Sequence, residues 1–490
     1  MKPSHYQQAV FDFVSSGVGN GAVNAVAGSG KTTTGVQMVS LFDPMDSGAF
    51  MAFNSHIAKE LGARLGDACP AMTYNAFGWR AIKEELGKSP KLDEYKTQNF
   101  LRYRLLDNLA DGGDRKWFYQ HKQTMARLMS LVKAADVHKI DEVMIEAVKA
   151  AERFAIELPP DGWQTRFAEL WQESVNDLSI MDFDDQKYMA QHLRVEVPKY
   201  DYLVIDEYQD TCAVEANLLQ RACAGGRIVV FGDPDQCIYS FKGTTPDAMG
   251  AFSRQYSARD LPLSICYRCS KAVVAEAAKI VPRIEPWENA RTGAVDEIET
   301  GEFQQRVVAG DFVLCRVTLD LVRSCLRFIQ RGRPAYVKGK EIGTQLISFI
   351  DSLAESDSQD AFEFYHKLNA YQLERTAELE AMDRQSSIIV LTDKCETIKV
   401  LLHGVKTVKE IKGRVTELFR EKEGGIQHLT IHKSKGLETN GNVFLIAPEK
   451  LPHPRSKQEW MREEERRLEY VAITRAKEGF YRVRSEEGDT

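Results

Sequence analysis

The segment "AVNAVAGSGKTTTG", residues 22–35, limits what this chain can fold into more than any other stretch. Its first five residues are mostly apolar and read as a short buried strand, and Lys31 with the threonines opens a helix. Between them, Gly28, Ser29 and Gly30 let successive backbone N–H groups turn inward, where the helix N-terminus adds its partial positive charge. That arrangement cradles phosphates. Ala27, Gly28, Ser29 and Gly30 supply the backbone, Lys31 neutralises the β- and γ-phosphates, and the Thr32 hydroxyl ligates Mg²⁺. Ala25 replaces the first glycine of the strict pattern, and a small residue can still make that turn. A strand, loop and helix in this order predict an α/β fold built on a parallel sheet.

The 490 residues suggest two to four domains, and 43% hydrophobic with 28% charged residues suits a globular chain. No run of about eighteen apolar residues is present, so no membrane span is expected. The opening "MKPSHYQQAVFDF" lacks the layout of a secretory signal, which points to the cytoplasm. Nine cysteines, an odd number scattered over the chain, argue against a disulfide framework. Cys266 and Cys269 form a CxxC with no second pair at similar spacing, and they read as reduced thiols rather than metal ligands. The net charge of −7 means that any contact with nucleic acid is local, a groove rather than a whole surface.

Along the chain, apolar strand-like runs at 22–26 and 48–53 alternate with helical patterns. From about 84 to 180 the spacing turns helical, with a break at Pro159 and Pro160. Strands return at "DYLVIDE", "GRIVVFGD", "GDFVLCRV", "PAYVKG" and "NVFLIA". Residues 356–425 are again helix-rich and charged, around one apolar run, "SSIIVLT". The terminal "SEEGDT" reads as a frayed tail.

"YLVIDEYQD" supplies the carboxylates that a phosphate loop needs. Asp206 and Glu207 stand at the end of a buried strand, where adjacent acids are costly without a cation. Asp206 is expected to hold Mg²⁺ through water, and Glu207 to polarise the water that attacks the γ-phosphate. This pairing is the signature of nucleoside triphosphate hydrolysis.

"DEYQD" followed by "VVFGDPDQCIYSFKG" resembles motifs II and III of superfamily 1 helicases of the UvrD/Rep/PcrA type. Further motifs of that family are matched in order. "YQQAV" resembles the adenine-reading Q motif, with Gln7 preferred over Gln8. "MAFNSHIAKEL" resembles motif Ia, "TYNAFG" the segment after it, and "DFDD" (182–185) a short element before motif II. "LPLSICYR", "LTIHKSKGLE" and "EERRLEYVAITRAK" resemble motifs IV, V and VI. The resemblance implies two RecA-like α/β cores, a P-loop NTPase fold. The first core takes 1–84 and 181–255, the second 256–355 and 426–490. Helical accessory insertions fall at 85–180 and 356–425, the latter much shorter than in the bacterial housekeeping enzymes.

Carried over residue by residue, the resemblance makes Gln236 a γ-phosphate sensor, and Arg268 and Arg475 arginine fingers. It places Tyr267 on adenine and Glu438 on the ribose. For a nucleic-acid strand it implies Phe53, Tyr239 and Phe241 as stacking faces, with Asn54, Thr73, Lys242, Thr430 and His432 around them. Phe241 and Lys242 stand where the family has tryptophan and arginine, and Thr33 stands where it often has an arginine over adenine. The implied activity is an ATP- and Mg²⁺-dependent helicase that moves 3′→5′ on single-stranded DNA and unwinds tailed duplex. RNA is a second-ranked track, and a DNA-stimulated regulatory ATPase the competing function. The sequence ends shortly after motif VI, so no attached nuclease is expected.

Overall fold

A computed structural model describes residues 2–103, 112–154, 156–159, 162–245, 247–381, 385–454 and 456–484. The "SEEGDT" tail and Pro160 of the expected break lie outside the described residues. Contacts divide the chain into two units: Met1–Ala25 with Gly30–Leu263, and Val26–Ser29 with Ser264–Thr490.

In the first unit the strands are β1 (Gly21–Ala25), β2 (Gly48–Ala52), β3 (Ala71–Thr73), β4 (Lys91–Leu92), β5 (Ile180–Met181), β6 (Tyr202–Ile205), β7 (Arg227–Gly232) and β8 (Arg259–Leu263). Six of them form a parallel sheet in the order β3-β2-β6-β7-β1-β8, while β4 and β5 make a separate two-stranded ladder. β2 and β6 are wholly buried, as befits strands covered on both faces. Their side chains divide by alternation. Phe50, Tyr202 and Val204 meet Val10, Phe13 and Met38 on one face. Met51, Leu203 and Ile205 join a second cluster on the other.

That second cluster does not stop at the sheet. It runs on through Met125, Leu128, Val143, Phe167 and Trp171, so the helices Gly112–Ala134, Ile140–Arg153 and Trp163–Asn176 of the first insertion share its apolar core. Arg259–Leu263, which the sequence division assigns to the second core, pairs with β1 in the first sheet. Its alternating exposure, typical of an edge, hides it from a search for continuous apolar runs.

The second unit holds β9 (Ile265–Cys266), β10 (Glu285–Pro286), β11 (Ala294–Glu299), β12 (Phe312–Cys315), β13 (Ala335–Val337), β14 (Ile426–Thr430), β15 (Val443–Ile446) and β16 (Gly479–Arg484). Its six-stranded parallel sheet has the order β11-β16-β15-β12-β14-β13, and β9 pairs with β10. Helices Ala361–Ala381, Gln385–Leu402 and Val408–Leu418 make up the second insertion. Phe364, Leu368, Ile398 and Ile411 belong to the same buried cluster as Val313 and Phe444 of the sheet. Two parallel sheets clothed by helices make this the α/β, RecA-like P-loop class that the sequence implies.

Candidate nucleotide and nucleic-acid sites

The phosphate loop has the backbone that its glycines predict. Gly28 (φ +69°) and Gly30 (φ +79°) both take left-handed conformations, and Gly30 caps the helix Lys31–Val39. Ser29 is buried, and its Oγ makes no hydrogen bond among the described residues. Lys31 Nζ lies 2.9 Å from Glu207 Oε1. Burial favours the neutral amine, but the charges of Glu207, Asp206 and Asp233 outweigh it and hold Lys31 above the ordinary lysine pKa.

Asp206 and Glu207 follow β6 directly. Glu207 has φ +54°, a conformation that costs a side-chain-bearing residue free energy and recurs at functional turns. Asp206 Oδ2 accepts from Thr32 Oγ1 at 3.3 Å, and its Oδ1 accepts from the Glu207 amide at 2.9 Å. Burial, then the neighbouring Glu207 charge, pushes the Asp206 carboxyl up to about 6. A hydroxyl and a carboxylate are the hard oxygen donors that Mg²⁺ accepts, and a cation would relieve the charge that the site crowds together. Among the described residues no group of three or more His, Cys, Asp or Glu forms a ready cage. Phosphate oxygens and water would have to complete the coordination.

From Glu207 a chain of hydrogen bonds leads onward. Gln209 Nε2 donates to Glu207 Oε2 at 2.5 Å, the Asp233 amide donates to Gln209 Oε1 at 2.9 Å, and Gln236 Nε2 donates to Asp233 Oδ2 at 2.7 Å. Gln209, Asp233 and Gln236 are all buried. Three residues past Gln236 comes Tyr239, at the start of the turn that carries the aromatic residues. Gln209 and Asp233 were missed as site residues although both lie inside quoted motifs. Their spacing shows motif membership, and only the fold shows that they join end to end.

Gln7 and Gln8 separate cleanly. Gln7 Nε2 donates to Thr34 Oγ1 at 3.1 Å, on the helix that follows the loop, while Gln8 bonds to exposed Asp12 on its own helix. Thr33 is exposed and Ala27 buried.

The expected strand residues of the first unit gather at one place. Phe53 and Tyr239 stack at 5.9 Å between centroids with 7° between planes, and Phe241 stands edge-on to Tyr239 at 6.0 Å. Lys242 Nζ sits 4.4 Å from the Tyr239 ring centre. Phe53 is 37% and Phe241 39% exposed, which removes core packing as their role. Asn54 and Thr73 are helix N-caps, accepting from the Ile57 and Ala76 amides. Asn75 Nδ2 bonds to the Phe183 carbonyl at 2.6 Å, so Phe183, 51% exposed, adds an aromatic near Thr73 that the sequence reading did not single out.

In the second unit, Arg268 Nη2 reaches Glu438 Oε1 at 2.5 Å, and Lys477 lies 3.6 Å from the same carboxylate. Burial pushes Glu438 up, but these cations outweigh it and lower its pKa. Arg475 is buried, with Nε on the Val471 carbonyl, Nη1 on the Leu437 carbonyl and Nη2 3.4 Å from Thr474 Oγ1. Tyr267 faces Trp287 at 6.2 Å, an aromatic neighbour that β10 delivers beside β9 and that the sequence reading passed over. Thr430 caps the short helix Ile431–Ser434, which contains half-buried His432.

Comparison with known proteins agrees with this layout. A family model described as an AAA domain matches residues 7–242, and one described as a UvrD-like helicase C-terminal domain matches 330–485. The putative ATP-dependent DNA helicase YjcD of Bacillus subtilis is 23% identical over 441 residues, covering 66% of this chain and 58% of its own. ATP-dependent DNA helicase PcrA of Staphylococcus aureus is 22% identical over 436 residues, covering 64% of this chain and 60% of its own. The chain thus spans about three-fifths of the length of these relatives. An arterivirus non-structural protein 10 helicase solved with DNA aligns at 13% identity over 98% of this chain and 64% of its own, with a TM-score of 0.36. The two family models, matched in the order of the two sheets, and the named relatives make this chain similar to the UvrD/Rep/PcrA group of superfamily 1 helicases.

Proposed function

We propose that the chain is an ATP-dependent translocase on single-stranded DNA that moves 3′→5′ and unwinds duplex ahead of it. The observation that carries this reading is the hydrogen-bonded line Glu207–Gln209–Asp233–Gln236, which ends three residues before the aromatic turn at Tyr239. A change at the γ-phosphate can be felt through it at the stacking faces of Phe53, Tyr239 and Phe241. The aromatic faces accept any base, which suits movement along a strand without sequence preference.

In this reading the loop amides and Lys31 bind the phosphates, and Lys31 exchanges Glu207 for the γ-phosphate. Glu207 then orients water and takes its proton, while Gln236 senses whether the γ-phosphate is present. Mg²⁺, when bound by Thr32 and Asp206, neutralises charge on the phosphate oxygens. Arg268 and Arg475 stabilise charge on the transferred group, Tyr267 stacks on adenine, and Glu438 binds the ribose. Arg268 would have to leave Glu438 to reach a phosphate, so nucleotide binding and the release of that pair are coupled. Asn54, Thr73, Lys242, Thr430 and His432 hold the strand. Residues 85–180 and 356–425 act as accessory insertions.

Strand displacement on 3′-tailed and 5′-tailed duplexes tests the reading directly. Displacement of the 3′-tailed substrate alone is expected. Hydrolysis stimulated by single-stranded DNA with displacement of neither substrate would replace it with a regulatory, DNA-stimulated ATPase. Stronger stimulation by RNA than by DNA would change the track.

A further inference from the structure

Beyond Phe241, the aromatic and cationic side chains of the first unit continue onto the helical insertion. Arg127, on the helix Gly112–Ala134, lies between two phenyl rings, its guanidinium carbon 5.7 Å from the Phe241 ring centre and 5.9 Å from that of Phe154. Arg153 covers the same Phe154 ring at 4.8 Å and reaches the Thr244 carbonyl at 3.5 Å. Beside this array is a cavity of about 700 Å³, lined by Ala150, Phe154, Gly243 and Thr244 together with Lys149 and Glu146.

Arg127 differs from the other arginines at these sites. It is half-buried, yet among the described residues it makes no hydrogen bond or ion pair, only the two ring contacts. A guanidinium carries five N–H donors in a rigid fork suited to phosphate. Burial lowers its pKa against the opposing field of Asp184, and an anion at its fork would offset that burial. The cavity has a different character. Arg153 and Lys149 are matched there by Glu146 and Glu152, and the remaining lining is largely apolar, which suits a neutral planar base better than a phosphate.

We propose that Arg127 and Phe154 extend the nucleic-acid site by one nucleotide onto the helical insertion, with the Arg127 guanidinium on a backbone phosphate and the next base stacked on Phe154 in the adjoining cavity. This rests on the reading that Phe53, Tyr239 and Phe241 hold a single strand, and it adds a subsite that none of those residues forms.

The test is equilibrium binding of fluorescent oligothymidylates of increasing length, over a range of salt, to wild type and to Arg127→Ala, Arg127→Lys, Phe154→Leu and Phe154→Trp. Arg127→Ala should reduce the slope of log affinity against log salt by roughly 0.7, the single-strand contribution of one phosphate, while Arg127→Lys keeps it. Phe154→Leu should weaken binding about tenfold for oligomers long enough to reach the insertion, and leave the shortest ones unaffected. Phe154→Trp should retain wild-type affinity at every length. An unchanged salt slope in Arg127→Ala, or a Phe154→Leu penalty that is the same at all lengths, overturns the proposal. Wild type that binds no oligomer at low salt would overturn the strand reading itself, an outcome distinct from both.

Discussion

Asp206 is ionised only against resistance. Burial and the adjacent Glu207 raise its carboxyl to about 6, well above an ordinary aspartate, with Lys31 as the opposing influence. For an acid whose folded-state pKa is raised, the folded protein binds more protons than the unfolded chain between the two pKa values. Stability from this group is therefore full below about 4 and is lost as pH rises through about 6. In nucleotide-free protein at pH 7.5, Asp206→Asn should raise the melting temperature, and the gain should shrink as pH falls towards 5. Mg²⁺ with a non-hydrolysable nucleotide should stabilise wild type more than the variant. A variant that is less stable than wild type at pH 7.5 would show that the charge is already compensated. Its neighbour separates binding from chemistry. Glu207→Gln keeps an acceptor for Lys31 and should leave nucleotide affinity nearly intact, while turnover falls by about 10²- to 10⁴-fold, the span associated with loss of a general base. Turnover within tenfold of wild type would move the base elsewhere. Arg475 calls for a gentler change than alanine. Its guanidinium serves the Val471 and Leu437 carbonyls, and truncation would remove both of these bonds as well as a charge.

At the scale of elements, the second insertion behaves as part of a core. Phe364 and Ile398, on its two longest helices, are fully buried in one cluster with Val313 of β12 and Phe444 of β15. Phe364→Ala should cost about 3–5 kcal/mol, as large-to-small changes in a sealed core do. Because the cluster is continuous, hydrogen-exchange protection should fall in β12 and β15 as well as in the mutated helix. Loss confined to 361–418 would mean that the insertion folds as a separate accessory body. The sequence showed that this segment is helical and short, but not where its apolar residues would be spent. Strand runs such as "DYLVIDE" and "NVFLIA" were legible because strands buried on both faces are continuously apolar. β8, β11 and β16 were not, since charged or exposed residues interrupt them. Of the site, Lys31, Asp206 and Glu207 could be read from local chemistry. Gln209 and Trp287 could not, because their neighbours are set by pairings between distant strands. The approach of Phe241 to Arg127 likewise depends on a helix more than 100 residues away in sequence.

Charge sets the expectation for the molecule as a whole. At −7 the chain repels a polyanion at long range, while the cations around its candidate strand site are few: Lys242, Arg127, Lys149 and Arg153 in the first unit. Long-range steering requires a field of opposite sign, and screening acts over about 8–10 Å at ordinary ionic strength. Contacts that form only at short range should therefore govern how long the complex lasts rather than how quickly it forms. Between roughly 50 and 200 mM salt, the association rate for an oligothymidylate should change by less than about threefold. The affinity should fall with a log–log slope of about −1.4, as the two phosphates that face Lys242 and Arg127 dictate, and nearly all of that fall should appear in the dissociation rate. Stopped-flow mixing and competitor-chase measurements separate the two. An association rate that drops tenfold over this range would reveal a positive field that the composition does not provide, and with it a binding surface much larger than the aromatic turn and its extension to Phe154.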